Sequence, residues 1–475
     1  MGGPRAVDAY QTTHPGIPFQ IAGWIAYRLA YLDAPSGFDG RLTALIADPA
    51  RFGWAVRIAA LVTLLLGTLG LAWLLRVRRA LPLLAGVALF ISYPAFWYRG
   101  FEILTIESLA FPLAAAAAYC ALVLFRNAER PLYAAAVVGA FFAIAYLNKL
   151  NYLAWPAGFG VAIIADGWLR QRAARRVAAE CGCFALGFGL CVLFVGVVFL
   201  GPAGLRSMAT THLLVFLNTG MYGAGAPGVV DAGSASRALA SLMRWPNAVA
   251  FLALLAVAVL APLRLYRIGR RDDDGMQFVS TAIFLSVATL LGIAVAVKHF
   301  DEHYLLPSLA LGSCLLVIWL SREASRPAAA VAVAAIALSL LAQAAYLPSH
   351  LRNEVAFGRL TDELTAAVLA LPLSPGEVRL WGYHSRYPGS ILLKVAQEAT
   401  VPAVTARLTA AFPQDRYSYT WTLGQDEDPN WRYAVLAHGM PGTDSFAAKA
   451  EALRQMVPFV VFRNKSPRSP GARTP

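Results

Sequence analysis

The sequence predicts a polytopic α-helical membrane protein of about ten spans with a small C-terminal α/β domain on its outer side. Only 14% of its 475 residues are charged, whereas soluble globular proteins average about 25%. Hydrophobic residues make up 58% of the chain, and its mean hydropathy is +0.56. Long apolar runs fill the chain up to residue 347, and shorter runs between polar segments follow.

The spans can be placed from the lengths of the apolar runs, because a helix needs about 20 apolar residues to cross about 30 Å of hydrocarbon. Residues 18–32 are apolar but too few, and Arg28 interrupts them, which favours a helix lying in the membrane interface. The longer runs predict spans at 52–75, 80–98, 105–125, 131–147, 152–169, 178–200, 246–266, 277–297, 304–320 and 328–347.

After residue 347 the pattern predicts a compact α/β domain, because helical and strand-like runs alternate. Helical patterns occupy 349–371, 389–399 and 445–456. Strand-like runs occupy 377–383, 417–421, 431–437 and 457–463. We therefore predict four segments: an outer N-terminal loop with an interfacial helix (1–51), a transmembrane domain (52–347), an outer α/β domain (348–463) and a disordered tail (464–475).

Arginines cluster in alternate connections between the predicted spans, and this pattern indicates the orientation of the chain. Cytoplasmic loops carry an excess of Lys and Arg, so these connections are expected to face the cytoplasm. The predicted location is the cytoplasmic (inner) membrane of a bacterium, crossed many times. The clusters are Arg76/Arg78/Arg79, Arg126/Arg130, Arg170/Arg172/Arg175/Arg176, Arg264/Arg267/Arg270/Arg271 and Arg322/Arg326.

Several classes of function are disfavoured by the distribution of charge and cysteine. The net charge of +13 is spread over the arginine clusters, so nucleic acid is not an expected partner. The five cysteines lie in or beside apolar runs, which favours small core residues over disulfides or a zinc site. Ion-coupled transporters commonly place ionisable groups near the middle of their spans, and the predicted spans carry none there.

The candidate functional residues lie in segments predicted to face outward. The first segment holds Asp8 and His14-Pro15-Gly16. Its carboxylate could act as a general base, or the segment could be a solvated tail. The second segment holds Arg99, Glu102 and Glu107, with Glu107 at the head of a span. Glu107 either caps the helix or serves as a second acid that orients the acceptor or holds a metal ion.

Two further outward segments carry cations. Lys149 lies between two apolar runs, where it either extends to the membrane interface or binds a lipid phosphate. Lys298, His303 and Tyr304 belong to the fourth segment, and Pro307 follows them. This segment favours a cationic pocket for phosphate over a metal site, because no tetrahedral ligand set is specified. The alternative for this fourth segment is a charged loop at the membrane interface. The loop 201–245, which contains His212, is also predicted to face outward.

In this order, the segments resemble bacterial membrane-embedded C-type glycosyltransferases that use polyprenyl-phosphate-linked sugars. This superfamily includes protein O-mannosyltransferases and lipid A aminoarabinose transferases. Asp8 and His14-Pro15-Gly16 are similar to its acidic first outer loop. Glu107-Ser108-Leu109 is similar to its acid at the head of a later span. Lys149 after the run 139–148 resembles its outer-turn lysine, and His303-Tyr304-Leu305-Leu306-Pro307 resembles its Arg/His-Tyr-Leu-Leu-Pro signature.

The resemblance covers about residues 8–347 and departs from the family pattern at two points. Family members usually carry a transmembrane helix before the acidic loop, whereas seven residues precede Asp8 here. An acidic pair is common in that loop, whereas Ala9 follows Asp8.

The resemblance implies an inverting hexosyl- or pentosyltransferase of cell-envelope biogenesis, acting at the outer face of the membrane. Its partners would be a polyprenyl-phosphate sugar donor, membrane lipids, and a lipid, glycan or protein acceptor. No cofactor is assigned, and a divalent cation stays open. The alternatives are a lipid or polysaccharide transporter and a ligase or polymerase of lipid-linked glycans. The implied roles are base for Asp8, second acid for Glu107, phosphate contacts for Lys149, Lys298, His303 and Arg99, and acceptor or loop contacts for His14, Glu102 and Tyr304.

Overall fold

The structure is a computed structural model, and its elements are described over most of the chain. The described residues are 17–74, 80–97, 106–127, 129–219, 226–228, 230–269, 273–298, 302–323, 325–382, 389, 392–393, 402–417, 431–437, 450–456 and 459–464.

Helices dominate these residues, and a five-stranded sheet lies near the C-terminal end. The helices are α1 (Ile17–Ala30), α2 (Phe38–Ala47), α3 (Pro49–Leu74), α4 (Ala80–Ile91), α5 (Ala110–Arg126), α6 (Leu132–Tyr146), α7 (Ala154–Leu169), α8 (Ala174–Leu217), α9 (Ala232–Leu242), α10 (Asn247–Gly269), α11 (Asp273–Lys298), α12 (Leu306–Arg322), α13 (Arg326–Leu369) and α14 (Pro402–Ala411). The strands are β1 (Val378–Trp381), β2 (Asp415–Tyr417), β3 (Trp431–Ala437), β4 (Ala450–Met456) and β5 (Phe459–Asn464).

The predicted fold class is confirmed. Seven described helices are long and apolar enough to cross a membrane, namely α3, α5, α8, α10, α11, α12 and α13, with α5 and α12 counted from the turns before them. A helix occupies each of the ten predicted spans, but α4, α6 and α7 contain only 12, 15 and 16 residues. The interfacial helix predicted at 18–32 corresponds to α1, which has 14 residues.

The helical unit comprises residues within 17–32 and 50–347 and packs around α12. Every residue of α12 from Leu306 to Leu320 is buried, because α4, α5, α10 and α11 all contact this helix. A helix that is apolar on every side is stable only when other apolar surfaces surround it. The five cysteines carry free thiols; Cys314 is buried within α12, as predicted for a core residue, whereas the other four are half-buried.

Helices α6 and α8 approach each other closely at two glycines. A Cβ atom on Gly139 would lie 2.1 Å from the Phe184 carbonyl oxygen, and one on Gly187 would lie 2.0 Å from that of Ala136. Small residues at such crossings allow two helix backbones to pack closely within a membrane.

Replacement of Gly187 with alanine is therefore expected to lower the stability of the protein by about 1–3 kcal/mol, because the added methyl group forces α6 and α8 apart. Gly189→Ala on the same helix is the matched control, because open space surrounds its Cβ position. Alanine favours helix at that site. Thermal unfolding of the purified variants in detergent checks the prediction, and equal melting temperatures for the two would contradict it.

The second unit comprises residues 33–49 and those from Pro348 onward. Its sheet has the order β2-β1-β3-β5-β4, in which β1 is parallel to β2 and β3, while β5 is antiparallel to β3 and β4. One face of the sheet packs against Leu364 and Val368 of α13. Arg379 in β1 donates to the carbonyl oxygens of Val368 and Leu369 at 3.2 and 2.9 Å and so caps the end of that helix.

Several local predictions are wrong. Residues 450–456 form strand β4 and not part of a helix, because pairing with β5 overrides the helix propensity of Ala450, Glu451 and Leu453. The loop predicted at 201–245 is helical up to Leu217 and again in α9. Helix α8 bends at Gly201, whose φ of 72° breaks the helix before Pro202 restarts it. Helix α13 runs through residue 347 without a break, although the division between the two units falls at the predicted boundary, between Leu347 and Pro348.

The N-terminal segment also differs from expectation. Residues 1–51 were predicted as a loop with one helix, but a second helix, α2, follows α1. Leu42 of α2 packs against Val404 and Leu408 of α14. Residues 33–49 therefore belong with the C-terminal unit. This grouping depends on tertiary contacts, which no local sequence pattern indicates.

Candidate functional site

Three short 3₁₀ turns carry the candidate residues, and each turn leads directly into a helix. The turns are Ile106–Leu109 before α5, Leu150–Leu153 before α7 and Glu302–Leu305 before α12. Glu107 and His303 lie within their turns, and Lys149 immediately precedes the second turn. The first backbone N–H groups of a helix have no partner within it, so these ends present partial positive charge.

Glu107 and Lys149 form a buried ion pair at the junction of these turns. The Lys149 ammonium donates to Glu107 Oε1. Only 3% of each residue is exposed. The Lys149 ammonium therefore contacts a carboxylate inside the helical unit, and Glu107 is the partner of that cation. A buried pair of this kind is costly to break from one side, because the remaining charge is left without compensation.

His303 contacts the same carboxylate, so one acid lies between two groups that can carry positive charge. His303 Nε2 is 3.5 Å from Glu107 Oε1, and 12% of the His303 side chain is exposed. The Lys149 ammonium lies 4.2 Å from the centroid of the Tyr304 ring. Such a cation–π contact stabilises the charged form of the lysine. Asn151 donates to the Tyr304 carbonyl oxygen at 3.4 Å and ties the second turn to the third.

This geometry is suited to an anionic ligand. Lys149 and His303 can each donate to a phosphate oxygen, and Glu107 holds both donors in one place. The described residues do not form a metal site here. Glu107 and His303 supply only two ligand atoms, and the Lys149 ammonium already occupies Glu107 Oε1. Among the described residues, no group of three or more His, Cys, Asp or Glu side chains could hold a metal ion.

The structure brings together Glu107, Lys149, His303 and Tyr304 from the sequence-based candidates. Lys298, at the end of α11, instead donates to the Phe216 carbonyl oxygen at 2.6 Å. The predictions for Asp8, His14, Arg99 and Glu102 lie outside the described residues.

A buried histidine near the site lies in a helix, whereas the sequence predicts a loop at this position. His212 lies in α8, where Met208, His212 and Val215 follow a helical spacing and are buried. Its Nδ1 atom is 2.5 Å from the hydroxyl oxygen of Tyr146, the last residue of α6. Lys149 is three residues further on, so this contact helps to fix the end of α6. The helical spacing of the three buried residues indicates a helix, but Gly201-Pro202 before them is a pair that usually ends a helix and so favoured the prediction of a loop.

The candidate residues and the arginines occupy opposite ends of the same helices. Helix α5 begins after Glu107 and ends at Arg126, and α12 begins after His303 and ends at Arg322. Helix α7 follows Lys149 and is itself followed by Arg170. The helices α5, α7 and α12 therefore hold the candidate site at one end and the arginines at the other.

Comparisons with known proteins give a likeness to solved structures. No protein-family model matches the sequence, and no curated protein matches it. The chain is similar to the crystal structure of ArnT from Cupriavidus metallidurans bound to undecaprenyl phosphate, with 13% sequence identity and a TM-score of 0.47. The alignment covers 98% of this chain and 96% of that one.

Proposed function

We propose that the protein transfers a sugar from a polyprenyl-phosphate-linked donor to an acceptor at the surface of the membrane. The observation that carries this proposal is the buried contact of Glu107 with Lys149 and His303 at the heads of three helices. The site offers two donors for a phosphate within a helical membrane domain. The motifs that contain Glu107, Lys149 and His303 also follow one another in the order that the sequence resemblance implies, which supports the proposal.

The chemistry required is a single displacement at the anomeric carbon. An acceptor oxygen attacks this carbon while its bond to the phosphate oxygen breaks, and the leaving group departs as a polyprenyl phosphate. Attack from the opposite side inverts the anomeric configuration. The acceptor's proton passes to a general base, for which Asp8 is the candidate.

The leaving group needs stabilisation more than protonation, because a phosphate monoester is already a weak base. Lys149 and His303 would neutralise the negative charge that develops on its oxygens. Glu107 would keep Lys149 charged and correctly placed in its buried position. The Tyr304 ring, packed beside the ammonium, limits the directions that the lysine can take. Lys298 and Arg99 remain candidate phosphate contacts.

The arginine-rich helix ends support a location of the site on the outer side of a bacterial inner membrane, because cytoplasmic ends are enriched in Arg and Lys. A lipid-linked donor in the outer leaflet would then reach the site laterally. The sugar and the acceptor, which could be lipid, glycan or protein, are to be identified by assay.

The test is an assay of the purified full-length protein in vesicles that contain polyprenyl-phosphate-linked sugars and candidate acceptors. We expect release of polyprenyl phosphate together with a glycosylated product of inverted configuration. Asp8→Asn is expected to lower the transfer rate by about 10²–10⁴-fold with donor binding retained, and Asp8→Glu to restore part of it. Movement of intact lipid-linked sugar across the vesicle membrane without chemical change would instead indicate a transporter. Use of lipid-diphosphate-linked glycans alone would indicate a ligase or polymerase.

A further inference from the structure

A cluster of charged side chains lies at the end of the helical unit opposite the candidate site. We name it the arginine cluster, and it combines four guanidinium groups with two carboxylates. Its members come from the connection before α6, the end of α7, the α7–α8 turn and the start of α8. They are Arg130, Asp166, Arg170, Arg172, Arg176 and Glu180.

Each carboxylate in the cluster binds three arginines. Asp166 lies within 3.2 Å of Arg130, Arg170 and Arg172. Glu180 lies within 3.3 Å of Arg130, Arg172 and Arg176. Ser280 of α11 also donates to Asp166 at 2.6 Å. The four arginines therefore outnumber the two carboxylates with which they pair.

The local backbone builds this arrangement. Gln171 adopts a left-handed conformation with φ of 54°, and the backbone N–H of Arg172 donates to the Gly167 carbonyl oxygen at 2.8 Å. This is a Schellman end to α7, and it turns Arg172 back towards Asp166. Gly167 allows α8 to pass close by, because a Cβ atom there would lie 2.3 Å from Val177.

The cluster carries a surplus of positive charge. Four arginines and two carboxylates give a net charge of +2, and Asp166 and Glu180 are completely buried. Removal of charge from water is costly unless an opposite charge compensates it. Burial lowers the pKa of Arg130, although Asp166 and Glu180 act in the opposite direction.

The surplus extends to the surface of the bundle, where a ligand can reach it. The Arg176 side chain is 39% exposed while it pairs with Glu180. Exposed Arg126 and Arg175 add two positive charges, and exposed Glu129 removes one. The cluster and its rim together therefore carry +3.

Two exposed aromatic residues close to this rim in the sequence are typical of the level of lipid headgroups. Tyr133, in the first turn of α6, is 72% exposed, and Trp168, in the last turn of α7, is 79% exposed. Tyrosine and tryptophan are enriched where the apolar core of a membrane meets its headgroups. Any anion that compensates the arginine cluster would therefore be one present at the membrane surface.

We propose that the arginine cluster is a binding site for the phosphate group of an anionic phospholipid. The excess positive charge attracts the headgroup, and Arg176 at the rim donates to a phosphate oxygen. Arginine is suited to this contact, because its planar group can present two N–H donors to one phosphate. Basic pockets between membrane helices are suited to such headgroups. The site is separate from Glu107 and Lys149, so the proposal does not depend on sugar transfer.

The test measures the melting temperature of the purified full chain in neutral detergent. Phosphatidylglycerol, phosphatidylcholine of the same acyl chains, and inorganic phosphate are added at matched concentrations. We expect only phosphatidylglycerol to raise the melting temperature, because ligand that binds the folded state stabilises it. Arg176→Gln is expected to weaken the apparent affinity for phosphatidylglycerol by about tenfold, the loss typical of a charge-assisted hydrogen bond.

Two variants separate this site from a general effect of surface charge. Arg267→Gln removes an exposed arginine from the end of α10 and is expected to leave the affinity unchanged. Glu180→Gln raises the net charge of the cluster to +3 and is expected to strengthen lipid binding. Equal shifts with both phospholipids, or equal losses in Arg176→Gln and Arg267→Gln, would overturn the proposal. An equal shift with inorganic phosphate would overturn the assignment to a lipid.

Discussion

Replacement of Glu107 with glutamine is expected to lower the rate of sugar transfer by at least about a hundredfold. Glutamine keeps the size of the side chain and can still accept a hydrogen bond from Lys149, but it carries no charge. The buried ammonium then loses its counter-charge, and His303 loses the carboxylate that lies 3.5 Å from its Nε2 atom. The initial transfer rate and the melting temperature of the purified variant are the quantities to measure.

The control for this change is Glu363→Gln, which neutralises an exposed carboxylate on α13. It is expected to keep both the rate and the melting temperature of the wild type. Glu107→Asp keeps the charge but shortens the side chain, so we expect it to retain more stability than Glu107→Gln and part of the activity. A wild-type rate in Glu107→Gln would exclude this carboxylate from the chemistry.

Replacement of Lys149 with methionine is expected to weaken donor binding by about a hundredfold or more, because a charge-assisted contact with the phosphate is lost. It should also lower the free energy of unfolding by about 3–5 kcal/mol, since the Glu107 carboxylate is left buried without the ammonium. Binding of polyprenyl phosphate to the detergent-solubilised protein and its thermal unfolding are the two measurements.

The double variant Glu107→Gln/Lys149→Met separates folding from function. Removal of both charges eliminates the uncompensated group, so much of the lost stability should return while the transfer rate stays low. Lys298→Met is expected to weaken donor binding less than Lys149→Met, because the Lys298 ammonium is already held by the Phe216 carbonyl oxygen. Arg359→Met, an exposed change on α13, is the charge-matched control. Equal donor binding in Lys149→Met and Arg359→Met would exclude Lys149 from the phosphate site.

The helical spans could be predicted because their signal is local. An apolar run of sufficient length forms a helix in a membrane wherever it occurs, since the backbone must satisfy its own hydrogen bonds there. The ten predicted spans accordingly match helices, including the buried α12. Strand β4 could not be predicted in this way, because its residues favour helix and only pairing with β5 makes them a strand. The continuation of α8 beyond Gly201-Pro202 was obscured by residues that usually end a helix.

The sequence by itself determined the class of the protein, the helices of its membrane domain and the residue types available for chemistry. The order of its motifs along the chain also identified Glu107, Lys149, His303 and Tyr304 as candidate site residues. Only the tertiary structure decided that these four residues meet. Glu107 and Lys149 are 42 positions apart, and Asn151 and Tyr304 are 153 apart. Contacts over such separations depend on how the helices pack against one another. The spacing of residues along the chain does not indicate this packing. The same packing holds Asp166 and Glu180 among four arginines, where the sequence shows only a run of basic residues between two spans.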